Sequence, residues 1–387
     1  MTNWKTYKLC EVANLSTGFP FDGQKYTKEG LRVVRGDNIT IGALRWDADK
    51  DKRWNETFSR AKEFSLQEGD IVIGMDGSRV GRNRAQIKVS DLPLLLAQRV
   101  ACIRHNSQTL QKFLYYQIFS NRFENYIKSV HTGTSIPHVS LKQIGDFSFQ
   151  VPDLFTQQRI TNILSALDDK IELNHRINKN LEQQAQALFK SWFVDFEPFQ
   201  DGKFVNSELG MIPERWKAGN LEELVEVKYG KDHKKLASGT IPVYGSGGIM
   251  RYVDQYLYNE ESVLIPRKGS LNNVMYVNHP FWTVDTMFYT HMKIEGIAKF
   301  IYLLISPKDL LSMNSGSAVP SMTVDILNKI AVIIPPTTIL QQFESIVKPL
   351  FIMAESLQKE NYRLAHLRDT LLPKLMSGEL KINDLSI

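Results

Sequence analysis

The chain has 387 residues, 43% of them hydrophobic, and carries a formal net charge of +5. That length and apolar content support two or three domain cores, and so mild a basic excess permits nucleic-acid binding without arguing for it. Cys10 and Cys102 stand far apart with no ligand-like His or Cys at zinc spacing, so neither a disulfide framework nor a metal site is indicated. The amino terminus shows no charged-then-apolar signal pattern, and the longest apolar run, residues 300–305, is far too short to cross a bilayer. A reducing, cytoplasmic setting is expected.

Residues 1–152 read as a first globular unit. Short β-rich runs at 31–34, 70–73 and 99–103 are bounded by Gly and Asp turns, and 111–125 reads as a helix, so the unit is α+β. From 153 to 196 the period changes. Ile160, Leu164, Leu167, Ile171, Asn174, Asn178, Leu181, Ala185, Leu188 and Trp192 follow an unbroken alternation of four- and three-residue steps, the a/d seam of a coiled coil. An ordinary amphipathic core helix explains so narrow and long a stripe poorly. Such a helix spans about 55 Å, and the mid-seam Asn174 and Asn178 would fix register and partner orientation at a cost in stability.

A linker, 197–215, leads into a second globular unit, 216–336, with the same order of elements: strands at 263–265, 273–277 and 287–289, a helix at 298–305 and a strand at 330–335. A second helix, within 337–387, carries a seam of Phe343, Val347, Leu350, Ala354, Leu357, Asn361, Leu364 and Leu371. Pro349 is expected to kink or interrupt it, and Pro373 to mark its end.

The chain is therefore written twice. Gly133-Thr134-Ser135-Ile136-Pro137, the run at 147–152 and Gln157-Gln158 are answered by Gly316-Ser317-Ala318-Val319-Pro320, the run at 330–335 and Gln341-Gln342, in phase to within one residue. Trp4 and Gly18 stand as far apart as Trp216 and Gly230, and Glu68 with Gly77-Ser78 matches Glu260 with Gly269-Ser270. Aligning the two Gln-Gln pairs leaves the second seam one residue out of phase with the first. Each copy is globule then helix, and the linker is too short to retrace the helix length, so the two long helices are expected to pack antiparallel with pseudo-twofold symmetry.

These features resemble a known family. The tandem arrangement, the Gln-Gln helix starts, the linker run from Phe199-Gln200-Asp201-Gly202-Lys203 to Gly210-Met211-Ile212-Pro213, and the terminal Leu371-Leu372-Pro373-Lys374-Leu375-Met376-Ser377-Gly378 are similar to the specificity subunit of type I restriction-modification systems. The resemblance covers nearly the whole chain. It implies an α+β fold of two α/β target recognition domains joined by an antiparallel helix pair, each domain reading half of a split, asymmetric double-stranded DNA site. It further implies docking of two methyltransferase subunits and of restriction subunits. S-adenosylmethionine, ATP and magnesium would be used by those partners, with no cofactor on this chain and no chemistry of its own.

Within the first domain, Gly77-Ser78-Arg79-Val80-Gly81-Arg82-Asn83-Arg84 gathers three arginines and an amide in one loop, the chemistry of phosphate clamping and guanine readout. Arg267-Lys268-Gly269-Ser270-Leu271-Asn272-Asn273 stands at the matching place in the second, with Lys228, Lys231, Lys234 and Lys235 after the opening strand. A solvated basic turn explains either loop alone, but less well their recurrence. Thr134, Ser135 and Ser317 lie in small hydroxyl-rich turns that fit either close approach to DNA or a structural turn. Ser246, within Tyr244-Gly245-Ser246-Gly247-Gly248, lacks the spacing and Lys of a phosphate-binding loop and reads as a flexible DNA-facing segment. Two alternatives stand beside this reading: a nuclease with a site in the second domain, suggested faintly by Glu226-Val227-Lys228, and a DNA-binding coiled-coil scaffold without sequence readout.

Overall fold

The structure, a computed structural model, describes residues 4–55, 61–133, 137–314 and 320–380. It forms two compact units, Met1–Glu172 with Glu360–Ile387, and Leu173–Lys359. The division falls inside both long helices.

In the first unit the chain runs β1 (Lys5–Lys8), α1 (Leu9–Val12), β2 (Ala13–Thr17), β3 (Leu31–Val34), β4 (Arg53–Trp54), β5 (Ile71–Gly74), β6 (Arg84–Gln86), β7 (Leu94–Leu96) and β8 (Val100–His105). Then come α2 (Gln111–Ile118), α3 (Asn121–Val130), α4 (Leu141–Gly145), β9 (Ser148–Val151) and the start of α5 (Leu154–Phe193). Strands pair as an antiparallel sheet β2-β8-β5-β6, a sheet β4-β3-β7 in which β3 is parallel to β7, and the antiparallel pair β1-β9. The first sheet is buried on both faces, and the side-chain period of two sorts its residues. Ile71, Ile73, Ala101 and Ile103 pack with Phe113, Phe123 and Ile127, while Val72, Val100 and Cys102 pack with Val34, Leu94 and Leu96. That double burial is why β5 reads as a continuous apolar run rather than an alternating one.

The helix expected over 111–125 is two helices. Ser120 stops the first and caps the second, its hydroxyl accepting from the Phe123 amide at 3.2 Å, which turns Phe123 and Ile127 into the core.

The second unit repeats this order with β10 (Phe204–Ser207), β11 (Gly210–Pro213), β12 (Lys217–Asn220), β13 (Val225–Tyr229), β14 (Ser238–Gly245), β15 (Gly248–Val253), β16 (Ser262–Pro266), β17 (Met275–Val277), β18 (Trp282–Thr283) and β19 (Met287–Met292). It closes with α6 (Ala298–Ile305), α7 (Val324–Asn328), β20 (Ala331–Ile334) and α8 (Thr337–Ser377). Its sheets are β13-β19-β16-β17, β15-β14-β18 with β14 parallel to β18, and β12-β20, strand for strand the arrangement of the first unit. The linker is structured: β10 and β11 form a hairpin, and Ile212, with Phe196 and Trp216 flanking the linker, enters the unit's core.

Each unit holds parts of both long helices. In the first, Ile160 and Leu164 share a core with Leu371, Leu375 and Met376, and Asp168 accepts from Arg368 at 2.7 Å. In the second, the Phe189 and Phe193 rings meet Phe343 edge to face. In the first unit rising numbers on one helix meet falling numbers on the other, so that pair is antiparallel. The predicted seam is buried or half-buried throughout, but near the end of α5 Phe189 and Phe193 take the deepest places and Leu188 and Trp192 sit beside them.

The one-residue phase problem resolves in the burial. Gln157, Ile160 and Leu164 match Leu340, Phe343 and Val347, all buried, so the seams are in phase and it is the Gln-Gln pairs that slip. Gln157 is sealed in the first unit, donating to the carbonyls of Gln108 and Pro152 and accepting from the Leu110 amide, each at 2.9 Å. Gln341 is exposed. Pro373 does not end α8, which continues to Ser377. Burial of Leu375 and Met376 in the first unit's core outweighs a helix-interior proline's cost of about 3 kcal/mol. The helix likewise runs on through Pro349.

Candidate nucleic-acid interface

In both units the loop leaving the central strand is held by the segment before the last short helix. In the first, the Gly77 amide donates to the Pro137 carbonyl at 3.0 Å and the Val139 amide to the Met75 carbonyl at 2.9 Å. In the second, the Met322 amide donates to the Arg267 carbonyl at 2.9 Å, and Lys268 bridges Ser321. Gly77 and Gly269 turn the loops at φ of 105° and 85°, a conformation that side chains with a Cβ disfavour. The two sequence segments singled out in each copy therefore meet at one place. Thr134, Ser135 and Ser317 themselves lie outside the described residues.

A second pair of glycines brings another strand end to the same place. A Cβ on Gly18 would fall 1.8 Å from the Leu96 carbonyl oxygen, and one on Gly230 would fall 2.0 Å from that of Val284. Only glycine permits that approach. In the first unit it brings Phe19 into the same cleft as Gly77, and in the second it sets the Tyr229 ring 5.3 Å beneath the Arg267 guanidinium.

The expected residues divide by exposure. Arg79 and Arg82 are exposed and Asn83 is half-buried; Arg82 ion-pairs Glu124 at 3.2 Å. Arg84 is a correction. It sits on β6 at 5% exposure, donating to the Gly81 and Phe119 carbonyls and lying over the Phe119 and Phe123 rings, where it organises the loop from beneath and cannot reach a ligand. In the second unit Lys231, Lys234, Lys235 and Lys268 are exposed and Arg267 is half-buried. Lys228 pairs with Glu226 at 2.5 Å and holds that carboxyl below its usual range. Asn272 and Asn273 are exposed but held by bonds within the unit: Asn272 donates to Asp309 and accepts from the Leu311 amide, and Asn273 donates to the Ser246 carbonyl at 2.8 Å. The segment around Ser246 is also not the flexible loop expected. It is a tight turn between β14 and β15, tied down by Asn273.

Several residues escaped the sequence reading. A cleft of about 570 Å³ in the first unit is lined by Phe19, Tyr26, Arg35, Arg45, Asp76 and Arg99 together with the Gly77 loop. Arg35 donates to Asp37 at 2.9 Å, and Asp76 lies between His138 Nδ1 at 2.5 Å and Arg99 Nε at 3.7 Å. These positions are scattered between residues 19 and 138, with no local pattern to mark them before folding joins them. The arrangement is a polar, cation-rich concavity with aromatic walls and two carboxylates.

A family model described as the type I restriction modification DNA specificity domain matches residues 1–183 and 213–364. The chain is 28% identical over 354 residues to the type I restriction enzyme MjaIX specificity subunit of Methanocaldococcus jannaschii, covering 84% of this chain and 82% of that one. It is 25% identical over 474 residues to the HindI specificity subunit of Haemophilus influenzae, covering 98% and 100%. In fold it is similar to the crystal structure of a type I restriction-modification S subunit from M. genitalium, with a TM-score of 0.59 at 19% identity over 97% and 96% of the two chains. No helix among the described residues is long and apolar enough to cross a membrane.

Proposed function

Because the chain belongs to the type I restriction-modification DNA specificity family, we propose that it is the non-catalytic subunit that reads a bipartite, asymmetric DNA site and carries the enzymatic subunits to it. Residues 1–152 and 216–336 act as target recognition domains, each reading one half-site. Residues 153–196 and 337–387 are the helical regions on which two methyltransferase subunits dock, 197–215 is the linker, and restriction subunits join that complex. S-adenosylmethionine, ATP and magnesium serve the partners, and the complex works in the cytoplasm.

The observation that carries this reading is the repeated junction: one backbone frame in both units, presenting different side chains. Asp76 stands where the other unit has Lys268, and Met75 where it has Arg267. Conserved geometry with divergent chemistry suits two readers of unlike half-sites. Arg79, Arg82 and Asn83 in the first unit, and Lys231, Lys234, Lys235, Arg267 and Lys268 in the second, are the side chains we assign to DNA. Arginine and lysine there either clamp phosphates or donate to guanine O6 and N7.

The test is activity by parts. The purified chain should neither methylate nor cut DNA, and with its methyltransferase partners it should direct adenine methylation to one split motif. Turnover by the chain alone with S-adenosylmethionine or magnesium, above a contamination control, contradicts the assignment.

A further inference from the structure

We propose that Asp76 and Arg99 together read a single cytosine-guanine base pair in the half-site of the first unit. The inference rests on that unit being a DNA reader and names what it reads at one position.

Both side chains line the cleft beside the Gly77 loop. A cleft that only clamped phosphate would gain nothing from a carboxylate, which repels the phosphate anion. Asp76 is nevertheless held at the rim, 38% exposed, with Oδ1 accepting from His138 Nδ1 and Oδ2 facing Arg99 Nε at 3.7 Å. Each carboxylate oxygen has two lone pairs, so these neighbours leave acceptor capacity directed outward. Arg99 turns its Nε toward Asp76 and is 67% exposed, which leaves its terminal amino groups for a ligand. The rim thus offers an acceptor and a donor pair side by side.

The major-groove edge of a cytosine-guanine pair presents the complement: the cytosine N4 amino donor next to guanine O6 and N7, both acceptors. An ionised carboxylate only accepts, so it rejects thymine O4. Set against adenine it takes the N6 proton but leaves its charge against the N7 acceptor, and Arg99 would then find the single acceptor O4 and the methyl of thymine in place of guanine's two acceptors. Among the four base-pair orientations, cytosine under Asp76 with guanine under Arg99 satisfies every group. The second unit has Lys268 in place of the carboxylate, so this reading belongs to one half-site alone.

The test uses the full chain with its methyltransferase partners and maps methylated sites at base resolution for the natural protein, Asp76→Asn and Arg99→Gln. The natural protein should give a split motif with an invariant cytosine-guanine pair in one half. In each variant that pair alone should relax, with discrimination falling roughly five- to a hundredfold, while the other half-site and the spacing persist. Asp76→Asn is isosteric, and Arg99→Gln changes an exposed residue and carries the test if the first variant melts at a lower temperature. A natural motif unchanged in both variants, or a loss of binding spread evenly over all positions, overturns the inference while leaving the reader assignment standing. Absence of any split motif from the natural protein defeats the reader assignment itself.

Discussion

At the scale of single residues, charge alone does not identify a ligand contact. Arg79, Arg82 and Arg84 form one basic loop in the sequence, yet Arg84 is consumed beneath it by carbonyls and aromatic rings. What separates them is strand register: Arg84 falls on the face of β6 turned to the helices, and that register is set by pairing with β5, which the local sequence does not announce. Arg267 and Lys268 keep access to solvent, and Arg267 is backed by Tyr229. Replacing both with Ala should weaken recognition of one half-site by about 1–3 kcal/mol if a bidentate base contact is lost, leaving the other half-site unaffected. Binding isotherms on duplexes altered in one half at a time measure this. An equal loss for every sequence, with a salt slope lower by about one per residue, identifies phosphate contacts instead.

At the scale of elements, apolar periodicity made both long helices and α6 legible, and double burial made β5 and β16 legible as apolar runs. The breaks were harder, because Ser120, Pro349 and Pro373 each weigh a local preference against packing that only the fold reveals. Packing wins at both prolines and capping wins at Ser120. The attachment of α8 within the second unit was not legible at all. Lys299, only 3% exposed on α6, donates to Glu344 on α8 at 2.7 Å and to Glu261 at 3.0 Å, with the Tyr276 and Phe351 rings beside it. Burial pushes the Glu344 carboxyl above its usual range while Lys299 pulls it back. Lys299→Ala should therefore strand an acidic group against α8 and cost about 3 kcal/mol, whereas Lys299→Met combined with Glu344→Gln should recover most of that. Urea unfolding of the two proteins decides it; equal stability for both would show that the ion pair does not pin the helix.

For the whole molecule, duplication was the most legible property. Matched intervals between Trp and Gly, and between Glu and Gly-Ser, anticipated two units whose sheets share one strand order. The readers were less legible, since the cleft of the first unit gathers side chains from Phe19 to Arg99 through topology rather than motif. Both long helices belong partly to each unit, so their length should couple the two half-sites. Inserting four residues after Glu172 and four after Lys359 keeps the antiparallel partners matched and adds about 6 Å, at most about two base pairs. The extra turn overshoots a full rotation by roughly 40°, so a spacer longer by one base pair is expected, with unchanged half-site sequences. An unchanged spacer in the mapped motif would mean that the helices do not act as the ruler.

On the function proposed above, each globular unit independently reads half of one DNA site. The most direct measurement is the methylation motif, at base resolution, of a chain in which residues 216–336 are replaced by the corresponding segment of another specificity subunit, assembled with its methyltransferase partners. One half of the motif should change to the donor's sequence while the other half and the spacing stay as they were. Change in both halves, or in neither, would contradict the claim.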